Sequence, residues 1–339
     1  MHKLLLGVAA FGLAVGAAFF SATKAPGSAQ GNLITAPGAG NAAATSPGIA
    51  IGNTAAAAVD QVQIRVEGKN PWTNLHLNNE RRNFQFAIVT DRTGGHRPGV
   101  FEAAVKKINL MQPEFVISVG DLIEGYSEDK GQWALEWAEF QAKIQALQMP
   151  FFYVPGNHDL ANPLMAENWN RKFGRTYYEF RYHDVLFVAL NSEDPPKSEP
   201  FCFSAAQQAW LADVLQRNAD VRWTFVFMHK PAWVFANADH EKSGWNAVDR
   251  ALGDRKYTMF AGHVHNYARF IRNGRDHIML ATTGGDSKLR GKADGEFDQI
   301  VWITMKDAEP VIANLLLDGI EDKAVRNLPL PKPSQKKTP

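Results

Sequence analysis

A single cysteine, Cys202, stands among the 339 residues. No intramolecular disulfide can form, so the folded chain must be held by its core. An excess of one charge is missing as well: 36 Lys and Arg against 35 Asp and Glu leave a formal +1. That balance argues against a nucleic-acid binder working through a broad basic face. There is no internal repeat, no P-loop and no Gly-x-Gly-x-x-Gly run, so nucleotide binding of those kinds is unsupported. Charge is absent altogether from Ala25 to Val59, a stretch of mostly Ala, Gly, Pro, Asn, Ser and Thr. Such a composition cannot bury enough apolar area to offset the entropy of ordering, and it reads as a flexible tether.

Ahead of the tether, Lys3 is followed by an uncharged apolar run from Leu4 to Phe20. This is a secretory signal or an uncleaved anchor, near the lower length limit for spanning a bilayer. Gly27-Ser28-Ala29 before Gln30 offers a cleavage site. The expected organisation is a signal or anchor over 1–29, a linker over 30–59, one large domain over 60–320 and a disordered Pro-rich tail over 321–339. The expected location is periplasmic or extracellular, with any membrane tether confined to the N-terminal segment.

What the domain does have is a series of apolar, strand-like runs that end in polar residues able to bind metal. Phe84–Thr90 runs into Asp91, and Phe115–Val119 runs through Gly120 into Asp121. Phe151–Val154 breaks at Pro155-Gly156 into Asn157-His158-Asp159. Trp223–Met228 ends at His229, and Tyr257–Ala261 ends at Gly262-His263-Val264-His265. One polar residue after a strand is usually a turn residue. Five in succession form a pattern, because open α/β sheets place their ligand sites at the carboxyl ends of strands.

Helical spacing over Val100–Met111 and Trp133–Leu147 separates the first three runs, which predicts a right-handed parallel wind with helices outside. Tyr177–Tyr182 and Val185–Leu190 read as a hairpin, and Ser204–Leu215 reads as a helix opened by a capping serine. Four more strand candidates follow His265: Ala268–Arg272, His277–Thr282, Gln299–Thr304 and Val311–Leu317. The expected class is α/β, with two sheets packed face to face and helices outside.

The ordered set Asp, Gly-Asp, Gly-Asn-His-Asp, His and Gly-His-x-His resembles the calcineurin-like metallophosphoesterases, over roughly Phe84 to Leu317. The resemblance implies a four-layer α/β/β/α sandwich of two mixed sheets, and hydrolysis of a small-molecule phosphomonoester or phosphodiester. It also implies two divalent or trivalent transition-metal ions, Mn, Zn or Fe, which suit an imidazole-rich donor set. By that resemblance Asp121 bridges the two ions, Asn157, His229 and His263 complete one set, and Asp91 and His265 belong to the other. His158 would stabilise or protonate the leaving oxygen, and Glu124 stands where a carboxylate orients that histidine.

One departure is plain. The family's first motif is Asp-x-His, whereas Asp91-Arg92-Thr93 carries a threonine at the ligand position. His96 is the candidate replacement, since Gly94-Gly95 lets the loop fold back; the alternative is an exposed loop histidine. Arg92 and Arg97 are either phosphate contacts or solvated charges. Thr93 also keeps open a single-metal site, or a non-catalytic binding protein on the same fold.

Overall fold

The computed structural model describes Asn78 and residues 82–332. The chain divides into Met1–Ala58, in which no residue is described, and Val59–Pro339. The expected signal or anchor, the linker and residues 333–339 lie outside the described residues. Among the described residues no helix is long and apolar enough to cross a membrane.

Alternation builds the first sheet. In Phe84–Val89 (β1), Phe84, Phe86 and Ile88 face one core while Ala87 and Val89 face another, which is period two read from both sides of a buried strand. Val116–Ser118 (β2) pairs parallel to β1, and Phe151–Phe152 (β3) pairs parallel to β2. On the other side of β1 lie Gln299–Met305 (β10), Pro310–Leu316 (β11) and Ile320–Asp322 (β12), each antiparallel to its neighbour, with Phe86 opposite Ile303.

The second sheet runs Tyr178–Tyr182 (β4), Val185–Ala189 (β5), Trp223–Phe227 (β6), Tyr257–Ala261 (β7), Arg275–Met279 (β9), Ala268–Arg272 (β8). Its four central strands are parallel, and β4 and β8 are antiparallel edges.

Between the sheets lies an aromatic core. Phe86 stacks on Phe115 at 5.1 Å and meets Phe187 and Phe225 edge-on at 5.3 and 5.0 Å. Each fully buried Phe removes enough apolar surface from water to contribute about 2–3 kcal/mol, and the offset and edge-on contacts fix how the rings seat.

Val100–Met111 (α1), Lys130–Ile144 (α2) and Pro163–Phe173 (α3) supply Phe101, Trp137 and Trp169 to the outer face of the first sheet. Ala205–Arg217 (α4) and Trp245–Leu252 (α5) cover the second with Leu211, Val214 and Trp245. The result is the four-layer α/β/β/α sandwich of two mixed sheets. Ser204 caps α4, accepting from the Gln207 N–H at 3.2 Å.

The disordered tail expected from residue 321 is corrected over its described part. β12 pairs with β11, the Leu328 N–H donates to the Arg269 carbonyl at 3.0 Å, and Leu330 packs against the apolar cluster on the outer face of the second sheet. A single 3-10 turn follows at Lys323–Val325, and an edge strand needs only one pairing side and a few apolar anchors.

Candidate metal centre

Five strands deliver the site. Asp91 follows β1, Asp121 follows β2 and Asn157-His158 follows β3, all from the first sheet. His229 follows β6, and His263 and His265 follow β7, from the second. The carboxyl ends of the two sheets therefore meet over one centre. Asp91, Asp121 and His229 are at most 2% exposed, and Asn157 is 7% exposed.

Side-chain geometry sorts these residues into two donor clusters. In the first, His229 Nε2 lies 3.0 Å from Asp121 Oδ2, 2.9 Å from Asn157 Oδ1 and 3.2 Å from His263 Nδ1. In the second, His265 Nε2 lies 3.4 Å from Asp91 Oδ1. Within each of the sets Asp121–His229–His263 and Asp91–Asp121–His265, the donor atoms lie within 4.8 Å of one another. Asp121 belongs to both.

The surroundings fit a cation. His229 Nδ1 donates to the Val119 carbonyl at 3.0 Å and His265 Nδ1 donates to the Asp286 carbonyl at 2.7 Å. Each bond commits Nδ1 and turns Nε2 inward, which is how imidazole ligands are usually held. Asp121, His263 and His265 have φ of 56°, 73° and 56°, a conformation that costs a non-glycine residue about 1 kcal/mol or more and tends to collect at functional sites.

Electrostatics point the same way. Burial opposes charge on His229, but Asp121 and Asp91 outweigh it and raise the imidazole to about 9. His265 is raised to about 9 against the same burial by its hydrogen bond to Asp91. His263 is pushed down to about 3, by burial and then by the charge on His229. Burial would lift Asp121, yet the charge and hydrogen bond of His229 hold it far below the usual carboxylate range. Without metal, imidazolium protons thus sit where cations would balance the carboxylates.

Asp159 ties the loops together. Its carboxylate accepts from the N–H groups of Gly156, Leu122 and Ile123 at 2.8, 2.9 and 3.2 Å. Gly156 is glycine because a Cβ there would overlap the Asp121 carboxylate and backbone.

Several readings of the sequence are corrected. Glu124 does hold His158, but through its backbone carbonyl, which accepts from His158 Nδ1 at 2.6 Å. The Glu124 carboxylate turns the other way and accepts from the N–H groups of Gly95 and His96 and from His96 Nδ1, at 3.2, 2.9 and 2.9 Å. Burial would raise it, but those bonds and the Thr93 hydroxyl bring it down to about 2. His96 is therefore bound to Glu124 and is absent from both donor clusters, so it does not replace the missing ligand.

Arg92 and Arg97 also point elsewhere. Arg92 is 3% exposed and pairs with Glu139 at 2.7 Å. Arg97 grips Asp298 and donates to the Gly285 carbonyl at 2.9 Å. Both serve the fold, as anchors between segments distant in sequence. Two further features had no motif to announce them. Lys230 and Glu193 form a buried ion pair at 2.8 Å directly after His229, and the Tyr126 hydroxyl accepts from Asn157 Nδ2 at 2.8 Å.

Two outcomes follow from this geometry. Gly156→Ala should displace the Asp121 carboxylate from both clusters and empty them together, read as metal per protein by elemental analysis. Wild-type stoichiometry would show that the loop can yield. Separately, His229 and His265 carry protons below about 9 in the metal-free protein. An entering cation must displace them at pH 7, so metal affinity should climb with pH and level off above about 9. Calorimetry in buffers of different ionisation enthalpy should read release of up to one proton from each. A binding heat indifferent to the buffer would mean that both imidazoles are already neutral.

Comparison with known proteins agrees with the fold and with the motif set. The family model for calcineurin-like phosphoesterases matches residues 76–267. The human serine/threonine-protein phosphatase CPPED1 is 28% identical over 204 residues, covering 54% of this chain and 64% of the relative. A probable glycerophosphodiester phosphodiesterase GpdQ from Arcobacter nitrofigilis is 23% identical over 200 residues, covering 55% of this chain and 70% of the relative. The crystal structure of a dimetal phosphatase from Danio rerio superposes with a TM-score of 0.52 at 17% identity, covering 70% of this chain and 97% of that one. The chain thus spans under two thirds of the length of the human relative, yet the family model covers more than half of the chain itself. On that match, and on motifs that the structure gathers at one centre, the chain belongs to the calcineurin-like phosphoesterases.

Proposed function

We propose that this protein is a metal-dependent phosphoesterase that hydrolyses a small-molecule phosphomonoester or phosphodiester, with two ions of the Mn, Zn or Fe class held by the clusters that share Asp121. The observation that carries the reading is the shared carboxylate itself: one buried Asp121 lies in both donor sets, with His158 Nε2 3.9 Å from its Oδ2. The ions, when bound, neutralise the non-bridging oxygens of a phosphoryl group and acidify a water.

The chain's own residues do the rest. Asp121, Asn157, His229 and His263 would hold one ion, and Asp91, Asp121 and His265 would hold the other. The His158 N–H donates to Asp121 Oδ1 at 3.0 Å, so backbone and bridge move as one piece. With Nδ1 committed to the Glu124 carbonyl, the imidazole presents Nε2 to the leaving oxygen as proton donor. A second reading, in which only one ion is tightly held, rests on donor number: the Asp91 set has three protein donors where the other has four. A non-catalytic scaffold would have no use for both sets and a held imidazole beside them.

The test uses protein reconstituted with Mn, Zn or Fe, assayed on p-nitrophenyl phosphate and on an alkyl phosphate. Wild type should turn over both. His158→Ala should keep its metal and lose on the order of 10²–10⁴-fold in kcat on the alkyl ester, with a smaller loss on the aryl ester, whose leaving group scarcely needs a proton. A metal-loaded wild type inert on a broad ester panel would leave only the scaffold reading. Equal losses on both esters would remove His158 as the donor.

The export reading rests on Lys3 and the Leu4–Phe20 run before a charge-free tether. Cell fractionation should find the domain outside the cytoplasm; a cytoplasmic chain that retains Met1 would contradict it.

A further inference from the structure

Tyr126 belongs to none of the motifs, yet it reaches two residues of one of them, Asn157 and His158. The loop after the bridging carboxylate turns back through Gly125 and Tyr126, with φ of 59° and 50°. The Gly125 N–H donates to Glu136 at 2.9 Å, and the Cα lies so near the His158 carbonyl that a Cβ there would overlap it. A tyrosine in the left-handed region costs roughly 1–2 kcal/mol. This one is also 62% exposed, so burial returns little of that cost.

The conformation aims the side chain at the centre. The hydroxyl accepts from Asn157 Nδ2 at 2.8 Å, and the ring stands edge-on to His158 with centroids 4.7 Å apart at 88°. Asn157 Oδ1 faces His229 Nε2 at 2.9 Å, so the bond to Tyr126 fixes which end of the amide enters the first donor cluster. Because the phenol oxygen accepts in that bond, its own proton remains to be donated. The oxygen is thereby held one residue away from the first donor cluster, with the ring beside the His158 imidazole.

We propose that Tyr126 is a substrate-contacting residue of this site: its hydroxyl, anchored by Asn157, donates to a non-bridging oxygen of the bound phosphoryl group, and its ring keeps His158 in place. The inference rests on the phosphoesterase reading and adds a phosphoryl contact from the protein to those supplied by the ions. One hydrogen bond to an anionic oxygen corresponds to about tenfold in binding.

The experiment compares wild type, Tyr126→Phe and Tyr126→Ala as metal-loaded protein, using inorganic phosphate as competitive inhibitor and p-nitrophenyl and alkyl phosphates as substrates. Tyr126→Phe should keep its metal, weaken phosphate inhibition about tenfold and lower kcat/KM to a similar degree on both esters. Tyr126→Ala should add a fall in kcat confined to the alkyl ester, since a His158 freed from the ring donates its proton less well; Phe should restore that part. Wild-type phosphate inhibition and kcat/KM in Tyr126→Phe would overturn the proposal, as would a loss explained wholly by missing metal. A wild type that binds metal but hydrolyses no ester would defeat the functional reading first, and the inference with it; that failure shows before any variant is compared.

Discussion

The structure depends on the burial of one carboxylate. Asp121 is 2% exposed at the point where the two sheets come together. A buried carboxylate left unpaired is too costly to persist, so its neighbours are arranged to compensate it. Oδ1 accepts from the His158 N–H, Oδ2 faces His229, and the Asp121 carbonyl accepts from the N–H groups of Arg92 and Thr93 at 3.1 and 3.2 Å. One residue thus joins the loops after β1, β2, β3 and β6. Asp159 reinforces the same junction by holding both flanks, Leu122-Ile123 and Gly156. The ligand loops are positioned chiefly by what they bind to in one another, while the aromatic core beneath keeps the strand ends from drifting.

Much of this was legible in the sequence, for a physical reason. Strands buried on both faces must be written as continuous apolar runs, and a polar residue that ends such a run lies at a strand end. Hence β1, β2, β6 and β7 and their terminal Asp and His residues could be placed, and α1 agrees with its helical spacing over Val100–Met111. α3 and α5 escaped notice. α3 begins at a proline after an Asn162 cap and is rich in polar residues, and α5 spans eight residues behind Gly244 with no side-chain cap. Neither carries a long enough apolar stripe to stand out alone.

What was illegible is mostly a matter of direction and distance. The partner of Arg92 is 47 positions away and that of Arg97 is 201 positions away, so no local pattern could separate a structural ion pair from a phosphate contact. Glu124 shows a subtler limit: its backbone carbonyl and its carboxylate serve different partners, and a sequence names only the residue. Tyr126 was hidden for a related reason, because an exposed tyrosine carries no signal until its backbone is seen to be left-handed and its hydroxyl is found on Asn157.

Thr93 brings these strands of argument together. The loop that it opens does not send another imidazole into the second cluster. It folds over His265, with Gly94 so near the ring that an added Cβ would stand 3.0 Å from Cε1, and it is fastened by the Glu124 carboxylate. A side chain at Gly94 would therefore crowd the His265 ring. The outcome is an uneven pair: beside the shared Asp121, three donors on one side and two beneath a glycine-rich strap on the other. The first set is tied to the packing of the whole sandwich through β2, β3, β6 and β7. The second is anchored at the ends of β1 and β7, where the fully buried Asp91 accepts from the His263 N–H at 2.7 Å and its carbonyl accepts from the Thr283 and Gly285 N–H groups at 3.1 and 3.0 Å, so what sets it apart is one donor fewer rather than a looser frame.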